Sequence, residues 1–469
     1  MKINDSTRRS FLKRTGAAAL TAGFQVLPRR LLGGPEHTPP SETLTVALIG
    51  AGGRGLQNAG FLLAEGDVRI VAVADPAEHY SLEHTYYKGF GGRRAALELI
   101  RKHEEPAGRP WRCTGYLDFR VLMERERGVD AIVCSTPDHL HAGISIMAMR
   151  AGKHVYCEKP LTHNIREARL VAKVARETGV ATQMGNQGHS TNGIRETVEH
   201  LRAGTIGAVR QVHVWSPARR VNPTVMAVPA ERPAVPAGLD WDLWLGPREG
   251  YSYHPAYHPM GWRDFWAFGG AGLGDMGCHD MDAAAWGLDL YEPEIIEGFG
   301  AGPRDDDVAP QATTVYYLFP ERNGRAPLML TWQDNGLRPP SQPELEGFVL
   351  PQRGVLFLGE KGVIECDGGG GPPRIFPRAL RMSTKTPQAE IPRVTGHHRD
   401  WINACKGGPP ASSAFEHGAR LTELVLLGVL AVRSRKRIEW NAAAMCTQKG
   451  VPGADEILHG RYRSGWEVA

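Results

Sequence analysis

Residues 44–75 limit what this chain can fold into more than any other stretch. "LTVALIG" (Leu44 to Gly50) is an uninterrupted apolar run, as expected of a parallel strand covered on both faces. Gly50-Ala51-Gly52-Gly53-Arg54-Gly55 follows directly and supplies Gly-x-Gly-x-x-Gly. Gly50 permits a tight turn. Gly52 lets the backbone approach a pyrophosphate. Gly55 lets the next helix pack closely on the strand, with its N-terminal amides aimed at the phosphates. "LQNAGFLLAEG" continues as that helix. "VRIVAVAD" reads as a second strand and ends in Asp75, 20 residues after Gly55. A carboxylate there can accept hydrogen bonds from a ribose diol and would repel a 2′-phosphate, which favours NAD over NADP. The glycine pattern alone also makes plain turns; the ordered strand, loop, helix, strand and acid argue for a dinucleotide.

The alternation continues. "GGRRAALELIRKHEE" and "YLDFRVLMERE" read as helices, "VDAIVCSTP" as a buried strand and "DHLHAGISIMAMRAG" as a helix. "KHVYCEKP" reads as a strand, "REARLVAKVARETG" as a helix, and "VATQMGNQG" as a strand running into a polar loop. Repeated βα units imply a doubly wound parallel sheet, with ligands at the carboxyl ends of its strands. That places the 50–55 loop, Asp75, "STPDHLH", "CEKP" and "MGNQ" on one rim.

The chain has 469 residues and a formal charge of +4. Seven basic residues against Asp5 and Glu36 make residues 1–40 +5, which leaves the rest at −1. A body so near neutral gives no electrostatic case for nucleic acid or an anionic membrane. The seven cysteines are odd in number, widely spaced and free of Cys-x-x-Cys, so they suggest neither a disulfide framework nor a zinc site. No apolar stretch is long enough for a transmembrane helix.

"TRRSFLK" (Thr7 to Lys13) matches the twin-arginine export pattern, and "TGAAALTAGFQVLP" after it has the character of a short signal-peptide core. The competing reading is a basic amphipathic tail. "PRRLLGGPEHTPPSE" reads as a linker, without a clean cleavage site. The expected organisation is a leader and linker (1–43), a nucleotide-binding domain (44–188), a substrate-binding α/β domain (189–440) and a C-terminal tail (441–469).

Taken together, "VALIGAGGRG", the acid of "VAVAD", "YLDF", "STPDHLHA", "EKPL", "MGNQ", "WDLWLGP", "GGAGLGDMGCHDMD" and "LTELVLLGVLAVRSRKRIEWN" resemble the Gfo/Idh/MocA family, named for glucose–fructose oxidoreductase and inositol dehydrogenase. The resemblance runs from about residue 44 to the end. It implies an N-terminal Rossmann domain and a C-terminal α/β domain whose open mixed sheet forms one wall of the substrate site and often an oligomer interface. It implies that Lys159 of Glu158-Lys159-Pro160 reaches the nicotinamide ribose and the reacting hydroxyl, and that Asp275 and His279 face the nicotinamide. The expected cofactor set is Gly50, Gly52, Gly53, Arg54, Gly55, Asp75, Thr136, Pro137, His139, Glu158 and Lys159.

Asp275 and His279 are i and i+4 of a predicted helix, so they share a face. Taking hydride from a secondary alcohol also requires removing the hydroxyl proton, which His279 can accept near neutral pH. Asp275 can orient the imidazole or hold a neighbouring hydroxyl; Lys159 can stabilise charge on the oxygen or take part in the proton transfer. Pro160 makes a cis bond plausible. The plainer alternatives are an N-cap for Asp275, a core histidine for His279, and surface positions for Asp280 and Asp282. A metal held by His279, Asp275 and Asp282 is conceivable, but hydride transfer does not need one and none is expected.

Six of the eleven tryptophans lie between 215 and 286, beside "YSYHPAYHPMGWRDFW". Aromatic faces suit the C–H faces of sugars, while most tryptophans serve a core. The expected substrate side comprises Asn186, Gln187, Tyr257, Arg263 and Trp266, with His189 as a further candidate. These features suggest an exported, NAD-binding oxidoreductase of sugars, polyols or glycosides. The alternatives are an NAD-dependent glycosidase without net redox change and a non-catalytic sensor. Twin-arginine export moves folded proteins, so the NAD is expected to be loaded before transit and held tightly. The expected partners are the export machinery, a small carbohydrate and further copies of the chain in a homo-oligomer, in the periplasm.

Overall fold

The computed structural model describes residues 42–106, 112–302 and 305–468. The export motif and the linker up to residue 41 lie outside the described residues.

The first sheet has six parallel strands: β1 (Leu44–Ile49), β2 (Val68–Ala74), β5 (Thr114–Tyr116), β6 (Ala131–Cys134), β7 (His154–Cys157) and β8 (Thr182–Met184). Their spatial order is β5-β2-β1-β6-β7-β8, the doubly wound order of a dinucleotide-binding sheet. The chain reverses direction across the sheet between β1 and β6, which opens a crevice at their carboxyl ends. Between β2 and β5 the chain forms a small antiparallel ribbon, β3 (Tyr80–Ser81) with β4 (Phe90–Gly91). The "YLDF" segment divides: Tyr116 ends β5, and the Asp118 side chain caps the helix Phe119–Arg125 by accepting from Arg120 N.

The second sheet is open, mixed and nine-stranded. It comprises β9 (Val209–Trp215), β10 (Ile295–Ala301), β11 (Ala312–Phe319), β12 (Leu328–Gln333), β13 (Gly354–Gly359), β14 (Val363–Cys366), β15 (Arg374–Phe376), β16 (Ile438–Asn441) and β17 (Cys446–Thr447). Its order is β15-β14-β13-β9-β12-β11-β10-β16-β17. Only the β9–β12 pair is parallel. The two sheets make the fold α/β, a Rossmann sheet followed by an open mixed sheet.

The helix Phe415–Ser434 is buried nearly all round rather than along one stripe. Its sequence reads as amphipathic, but Leu421, Leu424, Leu427 and Leu430 face neighbours on every side, as in a helix at the centre of a core. It packs on the helix Ile165–Thr178, on β10 and on the helix Ala271–Asp280. Each such leucine contributes about 1.5–3 kcal/mol of burial. The helix His397–Cys405 returns to the first sheet, where Trp401 and Ile402 join the core formed by β1 and β2.

The C-terminal residues also return. Tyr462 OH accepts from Asn164 Nδ2 at 2.9 Å and donates to Glu167 Oε1 at 2.7 Å. Asn164 and Glu167 form the capping box that starts the helix Ile165–Thr178, a device worth about 1 kcal/mol. This braces the segment just after Glu158-Lys159-Pro160. No described helix is long and apolar enough to cross a membrane.

Candidate active site

A cleft runs from the glycine loop at the end of β1 to the helix Ala271–Asp280. At Gly50 the backbone takes φ +90°, and a Cβ there would lie 2.6 Å from the Ser135 carbonyl carbon. A Cβ on Gly55 would lie 2.0 Å from the Gly50 oxygen, so only glycine lets the helix Gly53–Leu63 sit this close to the strand. No side chain caps that helix, and its first amides open on the cleft.

Asp75 closes β2. Its Oδ2 accepts from Ala51 N at 2.7 Å and its Oδ1 from Ala77 N at 2.8 Å. Each oxygen keeps a lone pair for a ribose hydroxyl. Burial pushes this carboxyl up to about 6, against the pull of the two amides. Further along, Arg54 Nε donates to Glu158 Oε1 at 2.8 Å, and Asn58 donates to the same oxygen at 2.9 Å. Burial opposes the Glu158 charge, but Arg54 and Lys159 hold it down at about 2. Arg54 Nη2 and Glu158 Oε2 are buried without partners among the described residues. A cradle open only to glycine, free helix amides and orphaned polar atoms on one wall fit a dinucleotide.

The far end of the cleft joins residues 116 positions apart. Lys159 Nζ donates to Asp275 Oδ1 at 2.6 Å and to the Asp275 carbonyl at 2.8 Å. The Lys159–Pro160 peptide is cis. Arg263 Nη1 stands 3.1 Å from the same Asp275 oxygen. Burial works against the Asp275 charge, yet Arg263 and Lys159 hold its carboxyl well below the usual carboxylate range. The helix begins after Gly270, so Asp275 is inside it and is not its N-cap. His279 follows one turn later on the cleft wall. Burial, then Lys159 and Arg353, push it down to about 3, so its imidazole is neutral at pH 7 and can accept a hydrogen bond.

Gly50, Gly52, Gly53, Arg54, Asp75, Thr136, Pro137, Glu158, Lys159, Gln187, Arg263, Asp275 and His279 all line this one cleft. Gly55 lies behind it, between helix and strand. Four residues expected in the site are elsewhere. His139 is buried and its Nε2 donates to the Trp244 carbonyl at 3.0 Å. Tyr257 is packed among Phe265, Phe268 and Trp241, and Trp266 belongs to the main core. Asn186 donates to Asp282 Oδ2 at 2.8 Å and accepts from Ser413 at 2.5 Å, away from the cleft. In each case an aromatic or amide group is consumed by the interior: the Asn186 amide has fixed partners and the rings of Tyr257 and Trp266 are packed, while His139 Nδ1 is buried without a hydrogen-bond partner among the described residues.

Asp280 and Asp282 are not surface acids: both are essentially fully buried. Asp280 pairs with Arg353 at 2.5 Å. Asp282 accepts from His189 Nδ1 at 2.9 Å and from His417 Nε2 at 2.9 Å. His189 therefore serves this buried cluster and not the cleft. Its ring lies 4.2 Å from that of Trp286.

Several cleft residues carried no recognisable signal. Tyr80 lies against Gly52 and Tyr87 against Gly53, both supplied by a ribbon too short for periodicity to reveal. Tyr80 also meets the His258 ring at 4.4 Å, so the ribbon touches the second-domain loop that carries Trp262 and Arg263. Asp138 and His141 were hidden within "STPDHLH", where the spacing singles out neither.

Comparison with known proteins agrees with this architecture. The model of an oxidoreductase family with an NAD-binding Rossmann fold matches residues 44–186, and that family's C-terminal alpha/beta domain matches 225–308. A 1,5-anhydro-D-fructose reductase of Ensifer adhaerens is 36% identical over 121 residues, 24% of this chain and 34% of that protein. A 2,7-anhydro-N-acetylneuraminate hydratase of Mediterraneibacter gnavus is 27% identical over 172 residues, 37% of this chain and 39% of that protein. The matches thus span between a third and two-fifths of these relatives' lengths. In fold, the WlbA dehydrogenase of Bordetella pertussis, crystallised with NADH and UDP-GlcNAcA, superposes with a TM-score of 0.55 at 17% identity, covering 85% of this chain and 99% of that one. With both domain models of the Gfo/Idh/MocA oxidoreductase family matched in order, over residues 44–186 and 225–308, the chain belongs to that family.

Proposed function

We propose that this protein is an NAD-dependent oxidoreductase that moves hydride to or from a secondary hydroxyl or ketone of a sugar, polyol or glycoside. One observation carries the reading: Lys159 of the first domain meets Asp275 of the second in the cleft that starts at the glycine loop, with His279 on the same wall. Bound NAD would supply the hydride acceptor. The glycine loop, the free helix amides and Asp75 would hold it. The neutral His279 imidazole can accept a hydrogen bond from the substrate hydroxyl, the Lys159 ammonium can stabilise the developing oxyanion, and Asp275 fixes the lysine. Trp262, with the Arg263 guanidinium 4.4 Å above its ring, offers an apolar face beside a donor, which suits a polyhydroxylated ring.

A second reading is a redox-neutral glycosidase that oxidises a ring hydroxyl, eliminates the aglycone, adds water and then reduces. The relative named as a hydratase favours it, since addition of water across such an intermediate is one of these steps. The leader at residues 7–13 supports export by the twin-arginine route to the periplasm. Outside the cytoplasm little NAD is free to exchange, so an exported enzyme would hold its cofactor tightly and restore it in each cycle. Exposed Phe299 on β10 and Leu318 on the neighbouring β11 support a homo-oligomer through the second sheet.

The test is incubation of the purified protein with a panel of polyols and glycosides, following NADH absorbance and aglycone release together. NADH without release supports the dehydrogenase. Catalytic release without added NAD supports the glycosidase. Neither signal from a protein with NAD bound would overturn both. Protein that purifies empty and binds NAD weakly would overturn the retained-cofactor reading.

A further inference from the structure

Asp138 stands in the turn after β6, almost fully buried, and lines the cleft. Its Oδ1 lies 3.7 Å from Arg263 Nη1, while its Oδ2 is buried and has no hydrogen-bond partner among the described residues. The same Arg263 nitrogen is 3.1 Å from Asp275 Oδ1. One guanidinium therefore bridges two carboxylates, one from each domain. The two are not equivalent. Asp275 is locked to Lys159 at 2.6 Å, whereas among the described residues the Asp138 carboxyl has no cation at hydrogen-bonding distance. Buried polar groups are normally satisfied, and exceptions gather where chemistry is done.

We propose that Asp138 is a second acid–base group of the cleft, exchanging the proton of the substrate hydroxyl through its free oxygen while Asp275 stays paired with Lys159. This rests on the oxidoreductase reading. In the oxidation direction the hydroxyl O–H bond breaks and its proton passes to Asp138 Oδ2. The electron pair left on oxygen becomes the carbonyl π bond as the carbon gives up hydride to the nicotinamide cofactor of the proposed reaction. Reduction reverses both transfers.

The surroundings suit the role. Burial pushes Asp138 up to about 6; Arg263, His141 and Lys159 pull it down and Asp275 repels it. A base is most effective when it titrates near the working pH, and His279, at about 3, sits far below it.

The experiment combines infrared difference spectroscopy between pH 8 and pH 5 on the full chain with kinetics of Asp138→Asn and Asp138→Glu. Buried Asp75, Asp280 and Asp334 are also pushed up to about 6, so the wild-type-minus-variant difference is what is read. The expected result is a protonated-carboxyl band with a midpoint near 6 that Asp138→Asn removes. That variant should retain NAD affinity within about threefold, lose about 100-fold or more in kcat, and lose the matching limb of the pH profile. Asp138→Glu should restore part of kcat and return the limb at a shifted pH. If Asp138→Asn does not fold, the same two readouts are taken from Asp138→Glu, where an unmoved midpoint and limb would overturn the proposal. A band that survives Asp138→Asn, or an unchanged kcat with the limb intact, overturns Asp138 alone. A wild type inactive on every polyol overturns the oxidoreductase reading, and this role with it.

Discussion

The molecule holds two aspartate–histidine clusters only seven residues apart in sequence, and they have opposite characters. Around Asp275, a lysine, an arginine and a histidine converge on the wall of a cleft, and Asp138 Oδ2 has no hydrogen-bond partner among the described residues. Around Asp282, His189, His417 and Asn186 all hydrogen-bond one buried carboxylate, and Tyr291 OH lies 3.1 Å from His417 Nδ1. Both carboxyls are held well below the usual range against the effect of burial, Asp275 by cations and Asp282 by its two histidines. Depressed ionisation therefore does not separate a reactive site from a structural one. What separates them is unfilled hydrogen-bonding capacity facing a space that a ligand can enter.

The sharpest way to break this contrast is to truncate one member of each cluster. Lys159→Ala should lower kcat by about 1000-fold or more, equivalent to about 4 kcal/mol of transition-state stabilisation, with little change in thermal midpoint. Steady-state kinetics beside calorimetry measures both. Asp282→Ala should do the reverse. Removing a buried carboxylate strands three donors, for an expected loss of about 3–5 kcal/mol in denaturant unfolding, while the folded fraction keeps its NAD affinity within about twofold. If Asp282→Ala instead abolished turnover at full stability, the structural assignment of that cluster would fail.

A smaller effect tests the cofactor end. Asp75→Ala should weaken NAD binding about tenfold, near 1.4 kcal/mol, and narrow the preference over NADP, as titration calorimetry with both dinucleotides would show. Equal losses for the two would mean that Asp75 only holds the Ala51 and Ala77 amides.

The smallest effect concerns pH. Burial lowers the titration of His189 despite the Asp282 carboxylate beside it. Its folded value is thus below its unfolded value of about 6.5. The unfolded chain binds the extra proton first, so this contribution to stability is complete above about 6.5 and is lost as the pH falls below it. Asp282 acts in the same direction at lower pH: its contribution is present above about 4 and is lost as the pH falls further. His189→Asn should therefore lose stability less steeply than wild type between pH 6.5 and pH 5, by at most about 1.4 kcal/mol per pH unit in unfolding experiments. An identical slope would show that His189 keeps its proton in the fold.

The first sheet was legible because its signals are local. An apolar run, a glycine turn and a terminal acid each act within a few residues, and the first two strands fall within a residue of where those signals put them. Lys159, Asp275 and His279 were named through resemblance, and the i and i+4 spacing of the last two holds on an actual helix. Their meeting was not legible, since a separation of 116 residues leaves no local trace. The aromatic-rich stretch misled at Tyr257 and Trp266, because the same composition serves a core and a sugar-binding wall equally well. Asp138 was overlooked for the opposite reason: an acid in a polar turn is unremarkable until its burial is known.

The sequence by itself determined the dinucleotide-binding half, because turn geometry and strand burial depend on neighbouring residues. Only the tertiary structure decided which of Asp275, Asp280 and Asp282 faces the cleft. All three lie within eight residues of "GDMGCHDMD" and carry the same charge. Helix direction and the packing of distant elements buried two of them against Arg353 and His417 and left one facing the cleft. Solvation is a property of the whole fold, and it gives identical side chains different chemistry.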